Sequence, residues 1–472
     1  PRLPNGGDGG GEGGAGGAVP GPAEAVRALL AWGEAQGIDA RAIEVRVDDT
    51  GNRSVVARTA IAADQRIVAV PRRALITELD VADAPIGAAL ARAAPPLDSG
   101  HTPIALWLAT ERRDPSSRWR PYLDALPAAV PLPWFTDDDL LLDLRGTHTW
   151  LANDVVRGGV IADHGAIVSR LPRVADLGLG ELAWGRAIAS SRLFRVKLGG
   201  VDRLALAPIA DLFDHGRADA TWRYDEERGE FAIVAKRAIA AGEPIQLSYG
   251  RKGLSRFFTG YGFVPADLIA SVAAGGEPDP DDPRLEDVAA ITFPGLRDDP
   301  RAALAVHLVW GHDLDRPLTM TAPATFDERA RRVLSVARLL AADSREVSHA
   351  IDRGRFVRNE LAWLGPRNER AALERIETAA LAARTHLAAT ADADRRLLED
   401  PDIVGWPRVA AALRTAERAV LDRWAELLAV AAPVLGDRSP WSWRRIATER
   451  ESAGLRHPLA PGYLRAVADE LP

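Results

Sequence analysis

The chain has 472 residues, of which 47% are hydrophobic and 26% charged, and it carries a formal net charge of -7. That composition can fill the cores of two or three domains and excludes a wholly disordered chain, while the acidic balance argues against a dedicated nucleic-acid binder. No cysteine is present, which excludes disulfides, thiolate metal sites and a cysteine nucleophile. Lysine is scarce, at Lys197, Lys236 and Lys252 only. With no run of 18 apolar residues and no basic-then-apolar leader, neither a membrane span nor a signal peptide is expected, and a cytoplasmic location is the default.

In chain order, residues 1–22 are dominated by glycine and read as a flexible tail, because such a run cannot repay its ordering entropy. Val26, Leu29, Leu30 and Trp32 predict a short amphipathic helix over 23–37. Ile43, Val45 and Val47 alternate with charged residues ahead of the turn Asp48-Asp-Thr-Gly-Asn52, and Val55–Ala57 and Ile67–Pro71 read as further strands. Residues 80–190 turn helical, with a helix from Ile104 to Glu111 and an N-cap with acidic first turn at 136–139. Strand signals return at 204–207 and again from Phe231 to Tyr249.

An internal echo supports a β region interrupted by helices. Residues 55–67 and 233–245 share seven of thirteen positions, and are expected to be two similar hairpins in one sheet. Beyond residue 290 the pattern becomes helical to the end: Val409, Leu413, Ala416, Val420, Trp424 and Leu427 fall on one helical face. Val333, Val336 and Leu340, then Leu373, Ile376 and Leu387, give two more stripes, and residues 436–472 read as an irregular extension.

Common catalytic and phosphate-binding motifs are absent, and His307 and His312, five apart, would not share a helix face, so no metal site is expected. One segment stands out. Of five tyrosines in the chain, Tyr249 and Tyr261 are each followed by glycine, a step that lets the backbone approach a ligand or another chain closely. Upstream, 207–216 is an apolar stretch ending in Asp211, Asp214 and His215.

These residues carry a family resemblance. Pro208-Ile-Ala-Asp-Leu-Phe-Asp-His215, then Ala240-Ala-Gly-Glu243, Leu247-Ser-Tyr-Gly250 and Tyr261-Gly-Phe-Val264, resemble the SET domain of the Rubisco large-subunit methyltransferase type. Leu106–Pro127 resembles the family's helical insertion, Ser190-Ser-Arg-Leu-Phe194 the element before its cofactor site, and Thr390–Leu421 its helical substrate-binding domain. The resemblance runs over roughly residues 25–430. It implies an α+β architecture: a SET catalytic domain over 23–270 with an insertion at about 80–190, an all-helical substrate-binding domain over 285–435, and the extension.

The resemblance further implies methyl transfer from S-adenosyl-L-methionine to a protein or peptide amine, most simply lysine, by a monomer that holds its protein substrate between the two domains. Such chemistry needs neither metal nor enzyme nucleophile. It needs a neutral nitrogen in line with the methyl at ~3–3.5 Å, and lysine, with a solution pKa of about 10.4, must first lose its proton. By the same resemblance Tyr249 points its hydroxyl at the methyl, while Tyr261 and Phe263 wall the channel. Arg192 meets the cofactor carboxylate, and Asn52, Arg53, Asp211, Asp214 and His215 lie along the cofactor.

The chain departs from the family pattern in three places. Asn52-Arg53-Ser54 stands where Gly-x-Gly is usual, Asp214 replaces an asparagine, and Gly253-Leu254 follows Lys252 in place of Ser-Asn. Two alternatives keep the fold and change the function: a SET-like scaffold of weak or absent activity, and a histidine N-methyltransferase.

Overall fold

The computed structural model describes residues 21–136, 141–276, 278–279, 281–299, 301–308, 317–357, 360–452 and 457–471. The expected tail up to residue 20, the acidic turn at 137–139 and His312 lie outside these. The chain divides into two compact units, one of Pro1–Asp138, Asn153–Arg251 and Gly260–Gly262, the other of Asp139–Ala152, Lys252–Thr259 and Phe263–Pro472. The expected insertion therefore does not belong wholly to the first unit, since residues 139–152 group with the second.

The first unit opens on the helix Pro22–Ala35, whose Val26 and Leu29 are buried. Strands β1 (Ile43–Val47) and β2 (Arg53–Ala57) form an antiparallel pair. β3 (Arg66–Pro71) belongs to a second sheet of order β3-β8-β7, with β7 at His215–Asp225 and β8 at Glu230–Ala235. β4 (Ile76–Thr77), β5 (Phe194–Leu198) and β6 (Val201–Leu206) make a third, in the order β4-β6-β5. β3 and β8 read as unbroken apolar runs because both faces are covered, so Ile67–Val70 and Phe231–Ala235 are buried throughout. β7 escaped the sequence reading: its outward Arg217, Thr221 and Arg223 hide the strand period behind polar residues.

The two echoed segments pair with each other. Ile61 bridges Ile239 and Val56 bridges Pro244, both antiparallel, and Ile61 and Ile239 exchange both main-chain hydrogen bonds at 2.9 Å. Since Ile61 and Ile239 also occupy the same place in the two copies, the segments are related by a local two-fold axis. Only short bridges continue the chain from 239 to 247, where strand signals had suggested a longer strand.

Between β4 and β5 the described chain is helical, as expected. The helix Thr102–Arg113 packs on Leu179–Arg192 so closely that a Cβ at Gly185 would fall 2.2 Å from the Ala105 carbonyl oxygen. These helices and the sheets share one core that includes Trp107, Tyr122, Trp134, Ile188, Phe213 and Phe231.

The second unit is not all-helical. β9 (Val288–Phe293) and β10 (Leu318–Pro323) form an antiparallel pair. β9 is a short, nearly continuous buried run that period alone cannot tell from a buried helix, whereas β10 alternates Leu318, Thr319, Met320 and Thr321, a strand signal too short to stand out in a helical stretch. The three apolar stripes do lie in the core: Val333, Leu373, Ile376, Val420 and Trp424 are fully buried, on the helices Glu328–Ala341, Pro366–His386 and Trp406–Ala425.

The expected irregular extension is also corrected, because 440–470 holds the helices Pro440–Ser452 and Ala460–Glu470. Pro458, which with Trp441 and Trp443 suggested irregular chain, lies just ahead of the second of these helices, and Pro440 and Pro461 sit in first helical turns, where the missing N–H is not needed. Trp443 and Tyr463 are fully buried. The Tyr463 hydroxyl donates to Glu369 at 2.9 Å, and the buried Arg338 bridges Glu369 and Glu470, each at 2.7 Å.

Two buried carboxylates fix the starts of helices in this unit. Asp287 Oδ1 accepts from the Leu254 amide at 2.7 Å, capping the helix Leu254–Tyr261. Glu417 accepts from the amides of His148 and Thr149 at 2.7 and 3.0 Å, at the start of the helix His148–Arg170. Burial pushes both carboxyls up to about 7.

Candidate active site

Tyr249 is brought to its place by the bridge segment that follows the two-fold pair. Leu247 bridges both His215 and Ala220 in parallel, and its amide donates to the Asp214 carbonyl at 2.9 Å. Two residues on, the Tyr249 amide donates to His215 Nδ1 at 3.1 Å. That nitrogen is thus the acceptor of the ring, so a neutral His215 carries its hydrogen on Nε2. The Tyr249 hydroxyl donates to the main-chain carbonyl of Phe213 at 2.8 Å.

Aromatic rings flank the phenol. The His215 ring centroid lies 5.2 Å away and that of Tyr261 5.0 Å, both tilted, within the range of favourable ring contacts. Tyr261 can come this near because of the glycine after it. Gly262 has φ +81, and a Cβ there would fall 2.2 Å from the Pro131 carbonyl oxygen. Desolvation holds the Tyr249 phenol well above its ordinary pKa, with Arg192 opposing and Asp214, Tyr261 and Asp211 reinforcing. Tyr249 therefore stays neutral near pH 7.

Beside the phenol lies a charged cluster. The turn at Pro208–Asp211 passes through Ile209 with φ +70 and ψ -43, a conformation that costs a β-branched residue about 1–3 kcal/mol. Burial of its side chain, 1% exposed, offsets that strain. The turn delivers Asp211 into the core. Asp211 Oδ2 accepts from the Tyr122 hydroxyl at 2.8 Å and lies 3.8 Å from Arg192 Nη1, which also donates to the Asp211 main-chain carbonyl at 2.6 Å. Burial raises the Asp211 carboxyl, opposed by Arg192, Tyr122 and Arg53. Asp211 Oδ1 and Arg192 Nε are buried without hydrogen-bond partners.

Of the residues singled out from sequence, the structure gathers Tyr249, Tyr261, His215, Asp211 and Arg192. Arg53 stands with them: its guanidinium, lowered in pKa by burial and by Arg192, donates to the Ala125 carbonyl. Asp214 contributes its main-chain carbonyl, while its side chain is exposed. Asn52 does not join. It is exposed, and its side-chain amide donates to Thr50 Oγ1 at 2.8 Å within the Asp48 turn.

The departure at 52–54 carries no backbone strain. The positive φ of this turn, +85, falls on Gly51, and Arg53 and Ser54 lie in β2. Phe263 belongs to the second unit, 38% exposed, with its ring 5.8 Å from that of Phe257. Tyr122 was missed as a site residue, having been read only as part of the insertion signature. Its being one of five tyrosines was the available signal.

Among the described residues, no group of three or more histidines, aspartates or glutamates gathers as a metal site, and no helix is long and apolar enough to cross a membrane.

Residues 298–421 match the family model described as "Rubisco LSMT substrate-binding". The chain is 25% identical over 249 residues to the actin-histidine N-methyltransferase of Canis lupus familiaris, covering 50% of this chain and 42% of that protein. It is 27% identical over 266 residues to the chloroplastic [fructose-bisphosphate aldolase]-lysine N-methyltransferase of Arabidopsis thaliana, covering 52% and 53%. The chain thus spans about half the length of these relatives.

In structure, the SET domain of LSMT bound to lysine and AdoHcy superposes with a TM-score of 0.70 at 19% identity, over 88% of this chain and 93% of that one. Rubisco LSMT bound to AdoMet gives 0.67 at 19% identity, over 87% and 93%. The fold is therefore that of a SET domain with a helical domain after it, an α+β architecture as the resemblance implied.

Proposed function

We propose that this chain, a SET-fold protein whose helical region matches the Rubisco LSMT substrate-binding family, transfers a methyl group from S-adenosylmethionine to a protein side-chain nitrogen, lysine first. One observation carries the reading. Tyr249, beside Tyr261 and the Asp211–Arg192 pair, donates its hydroxyl hydrogen to the Phe213 carbonyl, so its oxygen faces any ligand as an acceptor. Cytoplasmic action by a monomer on a protein substrate belongs to the same proposal.

The residues suit the cofactor. Arg192 Nε is a buried donor without a partner and Asp211 Oδ1 a buried acceptor without one, which match the carboxylate and ammonium of an amino acid. Arg53 adds positive charge nearby. When bound, the cofactor supplies an activated methyl whose sulfur leaves as a neutral sulfide.

The chain's own residues then have three tasks. Tyr249, its hydrogen committed to the Phe213 carbonyl, would offer its oxygen as an acceptor to the polarised methyl, a preorganised electrostatic contribution. Tyr261 limits the space beside it and keeps water out. Neither Tyr249, Asp211 nor the Nδ1 of His215 is free to serve as general base: the Tyr249 phenol is held neutral, Asp211 faces Tyr122 and Arg192, and His215 Nδ1 accepts from the Tyr249 amide. The acceptor amine therefore loses its proton to solvent before attack. With the cofactor bound, that nitrogen's lone pair would form the new bond to the methyl carbon as the bond from that carbon to sulfur breaks.

Histidine as acceptor is the second reading, favoured by the actin-histidine methyltransferases among the relatives. A lysate incubated with labelled cofactor, followed by identification of the labelled residue, tests both. Labelled lysine supports the first reading and labelled histidine the second. No labelling, with no stabilisation against melting at millimolar S-adenosylmethionine, leaves the scaffold. The pH profile gives an independent check, since a rate that is flat above neutrality points to an imidazole acceptor and a rising one to an amine.

A further inference from the structure

We propose that Tyr122 is a positioning residue for the methyl donor: its hydroxyl holds one oxygen of Asp211, and so keeps the other oxygen and Arg192 Nε unengaged and available to the donor's charged amino-acid end. The inference rests on the methyl-donor reading above and adds to it a residue 89 positions from Asp211 in sequence that touches no reacting atom.

Tyr122 sits on the helix Arg120–Ala125, 1% exposed, and its hydroxyl donates to Asp211 Oδ2 at 2.8 Å. The Asp211 side chain is 1% exposed, and the same Oδ2 lies 3.8 Å from Arg192 Nη1, beyond hydrogen-bond reach. Arg192 Nη1 donates instead to the Asp211 main-chain carbonyl. An arginine and a carboxylate this close ordinarily close into a two-pronged pair, the strongest geometry open to them. Here they do not, and each retains a buried atom without a partner, Arg192 Nε and Asp211 Oδ1.

The phenol is what separates them, since among the described residues it is the one side-chain donor within hydrogen-bond distance of Oδ2. Without its hydroxyl, Oδ2 would have Arg192 as its nearest donor, and the carboxylate would turn to close the fork. That closure engages the donor and the acceptor left open in the native arrangement. Any zwitterion entering the site would first have to break it, and affinity falls accordingly.

Asp211 faces Arg192 and Arg53, which favour its ionised form, the Tyr122 hydroxyl, which does likewise, and Tyr249, within electrostatic reach; burial opposes ionisation. Loss of the Tyr122 hydrogen bond by itself raises the pH at which Asp211 takes up a proton, whereas closure of the Arg192 fork lowers it. The two consequences oppose each other, so donor affinity, not its pH limit, is the readout.

The test is calorimetric titration of the full chain with S-adenosylhomocysteine and with S-adenosylmethionine, for wild type, Tyr122→Phe, Asp211→Asn and the double variant. Tyr122→Phe is expected to weaken binding about tenfold, about 1.4 kcal/mol. Turnover at saturating donor stays within about threefold, because the hydroxyl touches no reacting atom. In the Asp211→Asn background the Tyr122 change should have no further effect, the signature of a role exercised through Asp211.

A purely structural role would lower the melting temperature of Tyr122→Phe and leave its affinity unmoved, and that result overturns the proposal. If Tyr122→Phe does not fold, Asp211→Asn alone decides, and wild-type affinity in that variant overturns it equally. Failure of the wild-type chain to bind either compound refutes the methyl-donor reading itself, a result distinct from both.

Discussion

The phenol of Tyr249 and the main-chain carbonyl of Phe213 are joined by a 2.8 Å hydrogen bond in which the tyrosine donates. Because the carbonyl takes the only hydrogen the phenol has, the oxygen is fixed in orientation and presented as an acceptor. Tyr249→Phe keeps the ring contacts with His215 and Tyr261 and removes that oxygen. Turnover should fall about 10²-fold, the scale for losing one preorganised polar group, while donor affinity changes by less than about threefold. Steady-state kinetics beside calorimetric titration checks this, and an equal loss in both contradicts the assigned role.

Gly262 is the hinge on which the placement of Tyr261 depends. A methyl group at 262 meets the Pro131 carbonyl oxygen at 2.2 Å in a backbone of φ +81, so Gly262→Ala must both strain the left-handed residue and push carbonyl and helix end apart. A loss of about 2–3 kcal/mol is expected, read as a lower urea midpoint, together with reduced turnover as Tyr261 moves off Tyr249. An unchanged midpoint would show that the loop at Pro131 yields freely.

Asp287 gives the second unit a pH dependence of definite sign. Its carboxyl is raised from the ordinary 3.8 to about 7 by burial, so between those values the folded chain binds a proton the unfolded chain releases. Stability from this group is full below about pH 4 and declines as pH climbs through 7; Glu417, also raised to about 7, acts in the same direction. Asp287→Asn keeps an acceptor for the Leu254 amide and cannot ionise. Relative to wild type, the variant should gain stability between pH 5 and pH 8 in denaturant titrations, and parallel curves would exclude the effect.

The last helix is held through buried charge. Tyr463 donates to Glu369, which Arg338 also binds while reaching Glu470 on the same helix as Tyr463. Tyr463→Phe leaves a buried carboxylate one donor short and should cost about 1–3 kcal/mol. A chain ending at residue 436 removes Trp443 and Tyr463 from the core together and should not yield a folded second unit. A native melting transition in that truncated chain would restore the reading of the segment as a peripheral extension.

Much of this was legible in order along the chain. The helix at 22–35, strands β1 to β3, the helix at 102–113 and the long stripe from Leu413 to Trp424 each announce themselves, because one buried face imposes its period on a local run of residues. The Tyr-Gly steps at 249 and 261 were legible for a similar reason: a backbone with φ near +90 at Gly250 and +81 at Gly262 demands glycine in the sequence itself.

What the sequence by itself determined, then, is wherever a local constraint leaves a local mark: apolar period, turn chemistry, and the motif string that identifies the fold. Tertiary structure alone decided the rest. It paired Ile61 with Ile239, set Tyr122 against Asp211 with Arg192 held off, and built Trp443 and Tyr463 into a core. Each of these joins residues tens to hundreds of positions apart through contacts whose energy depends on burial and exact distance. Neither quantity exists until the chain has folded.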